Sequence, residues 1–418
     1  MIDADLSLYR LLDPDVLADP YPLYRALREN DPVHWDPFLH AWVVTGYHDV
    51  VTVLHRYTAA RTPTPDQLDA MGCSELNSIA QVMVKQMLFM DGAAHSRLRG
   101  LAACAFSPAR VEVLRDHVQD ITNRLLDRME GASTADLISE FAEPLPAIVT
   151  AEMLGVPTSD HLQLKEWSAA FAEMLGNFQH NPDRAARVVG AVEEMTLYFR
   201  AAIRDLERHP REGLIHSLMT AELEGGRLSE EEVIANCIVI MVGGQETTTN
   251  LIGNGMLTLA RHPEKMQWLR RHPEKIQAAV EELLRYESPS QHTARLAPAD
   301  MVLGGKQIQH RQAVIAVMAA ANRDPERFPD PDTLDLERTD NRHLAFGWAA
   351  HFCFGAPLAR IEGQIAFTSL LKRFPDLSIV DGAQLAWREN LGLRGLKALP
   401  VQLQAGSNIE ISETVGVG

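Results

Sequence analysis

Apolar positions recur with a helical period over most of the chain, and strand-like runs are few and short. The stretch Asp19-Pro20-Tyr21 to Asn30 predicts a short helix opened by proline. Ala41-Trp42-Val43-Val44-Thr45 predicts a strand that Gly46 ends. Residues 62–86 are mixed and Met-rich and predict a long loop holding one helical turn. Loops of that length are uncommon in compact proteins and often functional. From Asp91 to about Arg208 the pattern is helical, with breaks at Ser107-Pro108, Gly155-Val156-Pro157 and His180-Asn181-Pro182. Gly225-Gly226 ends this half.

Ser229 with Glu232 three residues on is the signature of a capping box, and the helix it opens runs to about Arg261. Another helix is expected over Glu274 to Tyr286. Strand-like pieces follow around Arg295 and from Val314 to Met318, then a Pro/Asp-rich irregular stretch from Asp324 to Arg342. A last helix covers Gly355 to Phe374. The expected fold is mainly α with minor β at both ends of the sequence. It lacks the strand–helix alternation of a doubly wound sheet. No repeat and no Gly/Ser linker divides the chain, which predicts one compact body.

With 46% apolar and 23% charged residues the composition is that of a globular protein, which excludes disorder over most of the 418 residues. Acidic groups outnumber basic ones, 56 to 39, for a net charge of −17. That argues against nucleic-acid binding by phosphate neutralisation. Four cysteines without a CxxC pair predict reduced thiols and a cytoplasmic setting. The acidic start lacks the basic n-region of a signal peptide. Apolar runs such as Ala313 to Ala321 fall short of the roughly 20 residues a membrane helix needs, so no membrane anchor is expected.

The most informative segment is Phe346-Gly347-Trp348-Ala349-Ala350-His351-Phe352-Cys353-Phe354-Gly355-Ala356-Pro357-Leu358-Ala359-Arg360. Cys353 lies just before a helix whose first turn carries Pro357 and whose apolar face is Leu358, Ile361 and Ile365. Free backbone N–H groups at a helix start stabilise a thiolate and lower its pKa. Phe352 and Phe354 suggest an apolar surround. A shielded thiolate is a poor protease nucleophile and a good metal ligand, specifically an axial haem ligand. A buried inert thiol is the bland alternative, accepted for Cys104 and Cys237 and extended to Cys73. A zinc site of His343, His351 and Cys353 is a weaker one.

This segment resembles the haem-binding loop of the cytochrome P-450 superfamily, Phe-Gly-x-Gly-x-His-x-Cys-x-Gly-x-x-Leu-Ala-Arg. The departure is Ala349, where the family usually has a turn-forming glycine. Glu282-Leu283-Leu284-Arg285 is similar to the family's Glu-x-x-Arg pair, which locks the irregular stretch, here through Arg338. Gly243-Gly244-Gln245-Glu246-Thr247-Thr248-Thr249 places poor helix formers inside the long helix, a conflict that often marks a functional site. It resembles the family's oxygen-activation motif, with Gly243 allowing a flat ligand to approach and Glu246 and Thr247 as its acid–alcohol pair. His95, Arg99, Arg295 and His351 stand in the contexts that the family uses for haem propionates.

The likeness runs from the first helix to Leu399-Pro400-Val401, so residues 1–406 read as a single catalytic domain and 407–418 as a polar tail. It implies the family's triangular helical prism, with haem b (iron protoporphyrin IX) between the long helix and the Cys-loop helix. Phe346 and Gly243 would join Cys353 and the four propionate ligands in holding it. It implies a monooxygenase that inserts one oxygen atom of O2 into a moderately large, mostly apolar small molecule, in secondary-metabolite tailoring. Electrons would come from a ferredoxin or flavodoxin and its reductase, docked on Arg97, Arg99, Arg342 and Arg360. Substrate contacts are expected in residues 62–86, 165–200, 290–294 and 391–394, including Met83, Met87, Phe171, Phe178 and Leu391. The alternatives are oxidative coupling or peroxide-driven oxidation on the same fold, and a non-catalytic haem carrier.

Overall fold

The computed structural model describes residues 6–105, 108–176, 182–222 and 226–404. Val33–Asp36 (β1) pairs antiparallel with Ala41–Val44 (β2). Thr293–Leu296 (β3) pairs antiparallel with Ala313–Ala316 (β4), and β2 runs parallel to β4. The sheet order is β1-β2-β4-β3. The minor β structure of the two ends is therefore partly one sheet, with Trp42 and Arg295 both in register with Val314. A second, antiparallel sheet joins Thr134–Asp136 and Ser378–Ile379 to the central strand Pro400–Gln402. The expected strand over 314–318 stops early, because Met318–Ala321 is already a helical turn.

Helices supply the bulk, in the order Tyr21–Asn30 (α1), Tyr47–Arg56 (α2), Gly92–Ala105 (α3), Pro108–Met129 (α4), Pro144–Leu154 (α5), His161–Leu175 (α6), Pro182–Arg208 (α7), Glu230–Arg261 (α8), Ile276–Tyr286 (α9) and Ala356–Arg373 (α10). The break at 155 is a left-handed Gly155 (φ 83°) that caps α5. The breaks expected at Ser107 and at His180-Asn181, the Gly225 boundary, Phe178, the Cys104 side chain and the tail 407–418 lie outside the described residues. Residues 62–86 hold more helix than one turn. Pro65–Ala70 and Asn77–Met83 are helical, the first opened by a Thr64–Gln67 capping box with Pro65 at its first position. Its polar, short-period pattern hid that signal.

The capping box of α8 forms as expected, with the Ser229 hydroxyl accepting from Glu232 N–H at 3.2 Å and the Glu232 carboxylate from Ser229 N–H at 2.9 Å. This helix runs through the main core, and Gly255 lets α10 pass close. A Cβ there would lie 2.4 Å from the Phe367 ring. On α10 the expected face of Leu358, Ile361 and Ile365 is buried.

The Glu282–Arg285 pair of α9 is fully buried, at 0% exposure for both side chains. Arg285 donates to the Glu282 carboxylate at 2.8 and 2.7 Å, and to the carbonyls of Asn322, Pro331 and Thr333 at 2.9, 2.7 and 3.1 Å. Glu282 also accepts from Asp335 N–H at 2.9 Å and Asn341 Nδ2 at 3.0 Å, and Arg338 Nε lies 3.3 Å away. Desolvating two charges is costly, and the cost is recovered only because every donor and acceptor finds a partner. Removing one member leaves a bare buried charge, worth about 3 to 5 kcal/mol. Glu282→Ala and Arg285→Ala are therefore expected to give insoluble or haem-free protein. Soluble yield and the ratio of haem to protein absorbance measure this.

Candidate functional site

The loop before α10 is folded by its own backbone. Gly347 N–H donates to the Leu344 carbonyl at 2.8 Å, and Cys353 N–H to the Phe346 carbonyl at 2.8 Å. Gly347 and Ala349 both take positive φ, 70° and 55°. The alanine thus occupies a left-handed position, at a cost of about 1 to 2 kcal/mol, and the turn forms nonetheless. Burial pushes the Cys353 thiol up, against the Gly355 and Ala356 N–H groups and the charges of Arg99 and Arg360. The amide donors expected at the helix start are present, but desolvation outweighs them. A thiolate here calls for a bound cation as its counter-charge, which a metal ion supplies.

The surround is less uniformly apolar than expected. Phe352 is 37% exposed, while Phe354 packs against the core. Phe346 lies under the Arg360 guanidinium, 4.6 Å from its ring centre, and Arg360 makes two 2.7 Å bonds to Glu281. His343 also turns to Glu281, at 3.3 Å, rather than to His351 or Cys353. Among the described residues no three His, Cys, Asp or Glu converge as a metal site. The zinc reading therefore finds no support. Cys237 is fully buried, but Cys73 is partly exposed, in a turn. The extension of the inert-core reading to Cys73 is corrected.

His95, Arg295 and His351 come together around Asp91, and Arg99 lies beside the two histidines, towards Cys353. The rings of His95 and His351 are 4.3 Å apart, and His351 Nε2 lies 3.0 Å from Asp91 Oδ1. Arg99 donates to the Phe352 carbonyl at 2.5 Å, and Arg295 to Thr293 Oγ1 and the Ala294 carbonyl at 2.9 Å each. His95 Nε2 and Arg295 Nε are buried without a partner. Burial, with the charges of His351 and Arg99, lowers His95 to about 4, and burial lowers Arg295 to about 10. Burial alone would raise the Asp91 carboxyl, but bonds from Thr58, His351 and Ala60 hold it below the usual carboxylate range. Cations in excess, with orphaned buried donors, fit the two carboxylates of a haem.

On α8, Gly243 is exposed beside the buried Val242, and a Cβ there would meet nothing within 4 Å. The open face suits the approach of a flat group. Thr247 Oγ1 donates to the Gly243 carbonyl at 2.6 Å, while Thr248 and Thr249 are buried on other faces. Glu246 is 7% exposed and bonds Arg388 at 3.0 Å. Arg388 also bonds Glu143, which Lys165 pairs from α6. Burial raises the Glu246 carboxyl, and Arg388 opposes it. Glu246 is thus linked towards solvent by a chain of ion pairs, with Lys165 as its more exposed end. Arg388, Glu143 and Asp91 escaped the sequence reading because ion pairing across 142 residues or more leaves no local pattern.

Of the expected substrate residues, Met87 and Phe171 are buried in the main core, and Leu391 is buried in a separate cluster with Tyr21, Val43 and Ile315. Arg394, within the expected segment 391–394, instead donates to the Leu17 and Ala18 carbonyls and pairs Glu287. It is a structural tie. His292 is buried, which lowers its imidazole to about 4.

A mainly helical fold with a cysteine loop before its last long helix defines the class, and comparison with known proteins gives the family. The chain belongs to the cytochrome P450 family, whose profile matches residues 40–385. It is 38% identical over 394 residues to the biotin biosynthesis cytochrome P450 of Bacillus subtilis (strain 168), covering 93% of this chain and 98% of that one. It is 35% identical over 400 residues to the 6-deoxyerythronolide B hydroxylase of Saccharopolyspora erythraea, covering 92% and 96%. Among solved structures, P450BioI in complex with a hexadec-9Z-enoic acid-ligated acyl carrier protein superposes with TM-score 0.87. That match has 37% identity and covers 93% of this chain and 100% of that one. The chain is accordingly a cytochrome P450 oxidoreductase with a haem-thiolate cofactor. No described helix is long and apolar enough to cross a membrane.

One buried acid lies outside the site's obvious chemistry. Glu362 on α10 is 1% exposed with one unpartnered oxygen, and burial raises it to about 8. The native state then holds a proton at neutral pH that the unfolded chain releases. Its stabilising effect is present below the ordinary carboxyl value of 4.5 and lost as pH rises towards 8. Glu362→Gln removes this titration. The Tm of the variant minus that of the wild type is expected to grow between about pH 5 and pH 8.

Proposed function

We propose that Cys353 is the iron ligand of a haem b monooxygenase acting on a moderately large, mostly apolar organic molecule. The observation that carries this is the half-buried Cys353 thiol, held at the start of α10 by the Gly355 and Ala356 amides. When bound, the haem supplies reductive activation of O2, and a thiolate ligand favours O–O cleavage. Phe346 would shape the ligand loop, and His95, Arg99, Arg295 and His351 would hold the propionates. Gly243 would leave room for the porphyrin face. The haem is the b form in this reading, because the sequence has no Cys-x-x-Cys pair to attach a haem covalently.

The protein's own part beyond binding is to move protons. Glu246, reloaded with a proton from solvent along the opening lined by Arg388, Glu143 and Lys165, passes it to the Thr247 hydroxyl, which hands on its own. That hydroxyl must leave the Gly243 carbonyl to donate towards the haem side. Such a relay serves O2, whereas peroxide brings its own protons, so the pair favours the O2-driven reaction. Electrons would arrive from a ferredoxin or flavodoxin and its reductase. Of the four expected docking cations, Arg97 and Arg360 are engaged with Glu232 and Glu281. Arg99 is engaged with the Phe352 carbonyl, so the exposed Arg342 would carry more of that contact. A role in secondary-metabolite tailoring is supported by a relative of 37% identity named for polyketide biosynthesis, whereas the biotin biosynthesis relative points to vitamin synthesis.

Reduction under CO is expected to give the strongly red-shifted Soret band of thiolate ligation in the wild type and not in Cys353→His. Persistence of that band in the variant would assign the ligand elsewhere. Thr247→Ala is expected to retain haem and substrate binding while product per NADPH falls and peroxide release rises. General acid–base assistance of roughly 10² to 10⁴ in rate makes the loss easy to see. Unchanged coupling would remove the catalytic role from Thr247.

A further inference from the structure

The cation cluster around Asp91 has a member outside the motifs. Arg61 follows the bridge between Thr58 and Leu296 and opens the segment 62–86. Its guanidinium lies 4.7 Å from the Phe89 ring centre, and its hydrogen bond is a long one, 3.3 Å, to the Ala59 carbonyl. Among the described residues it makes no ion pair. Burial and the nearby charge of Arg295 lower it to about 9, with Asp91 opposing. Asp91 is already taken up by Thr58, the Ala59 and Ala60 N–H groups and His351. Arg61 and Arg295 therefore share a single carboxylate, which leaves one positive charge unmatched. Two like charges held together in a poorly solvated place need an anion between them.

We propose that Arg61 is a further propionate-binding residue, held in place by the Phe89 ring beside Arg295, which ties the root of the substrate segment 62–86 to the prosthetic group. This rests on the haem b reading above. The flat cation stacked on Phe89 is fixed in orientation, and its N–H groups match a carboxylate in a way a lysine does not. Loading of the haem then orders the start of that segment through Arg61. The segment begins where the clamp ends, so haem affinity and the entry of substrate share one anchor.

The test uses the full chain carrying haem, as wild type, Arg61→Gln and Arg61→Lys. A pyridine haemochrome spectrum of the wild type first establishes protoporphyrin, independently of Arg61. Haem release to excess apomyoglobin is expected to quicken roughly 10- to 100-fold in Arg61→Gln, the scale of a lost charge-assisted bond, and less in Arg61→Lys. The reduction potential should fall in Arg61→Gln and be largely restored in Arg61→Lys, because a nearby cation favours the reduced, more negative haem. Release within twofold of wild type would overturn the proposal. So would faster release with an unchanged potential, which would mark Arg61 as packing only.

Discussion

The buried pair of Glu282 and Arg285 is the constraint on which the site depends. Arg285 gathers three carbonyls from 322 to 333, and Glu282 collects the amides and side chains of 335, 338 and 341. A stretch without helix or strand is thereby fixed from inside by two side chains of one helix. The chain of bonds continues. Asn322, whose carbonyl Arg285 holds, accepts from Leu344 N–H at 2.6 Å and donates to Ser288 at 2.8 Å. The Leu344 carbonyl starts the turn at Gly347, and the Phe346 carbonyl receives Cys353 N–H. The thiol's position is thus set from α9, some 70 residues earlier in the chain.

Around that thiol the structure stores charge rather than neutralising it. The left-handed Ala349 and the half-satisfied clamp are each unfavourable in isolation. In the proposed reading a doubly anionic flat group would supply the partners that the clamp lacks. The same logic covers Cys353, whose thiol burial alone would keep neutral.

Much of this was legible in the sequence, for identifiable reasons. The length and cap of α8, the α10 face of Leu358, Ile361 and Ile365, and the Glu282–Arg285 spacing are local patterns with a single structural meaning. The helices of 65–83 were missed because their apolar residues are too few to show a period, although Thr64, Pro65 and Gln67 carried a cap signal. The direction of the Cys353 shift was misjudged because a sequence shows the helix start but not how deeply the thiol lies. The Glu246–Arg388 and His351–Asp91 contacts join distant segments, and Arg394 was assigned to substrate for want of its partners at residues 17, 18 and 287.

The central claim is that the folded loop delivers one sulfur, that of Cys353, to a haem iron. X-ray absorption fine structure at the iron edge of the purified ferric protein reads the iron's neighbours directly. The account predicts a shell of four porphyrin nitrogens with one sulfur bound to the iron. A shell of nitrogen and oxygen alone, in protein that retains its haem and fold, would contradict it.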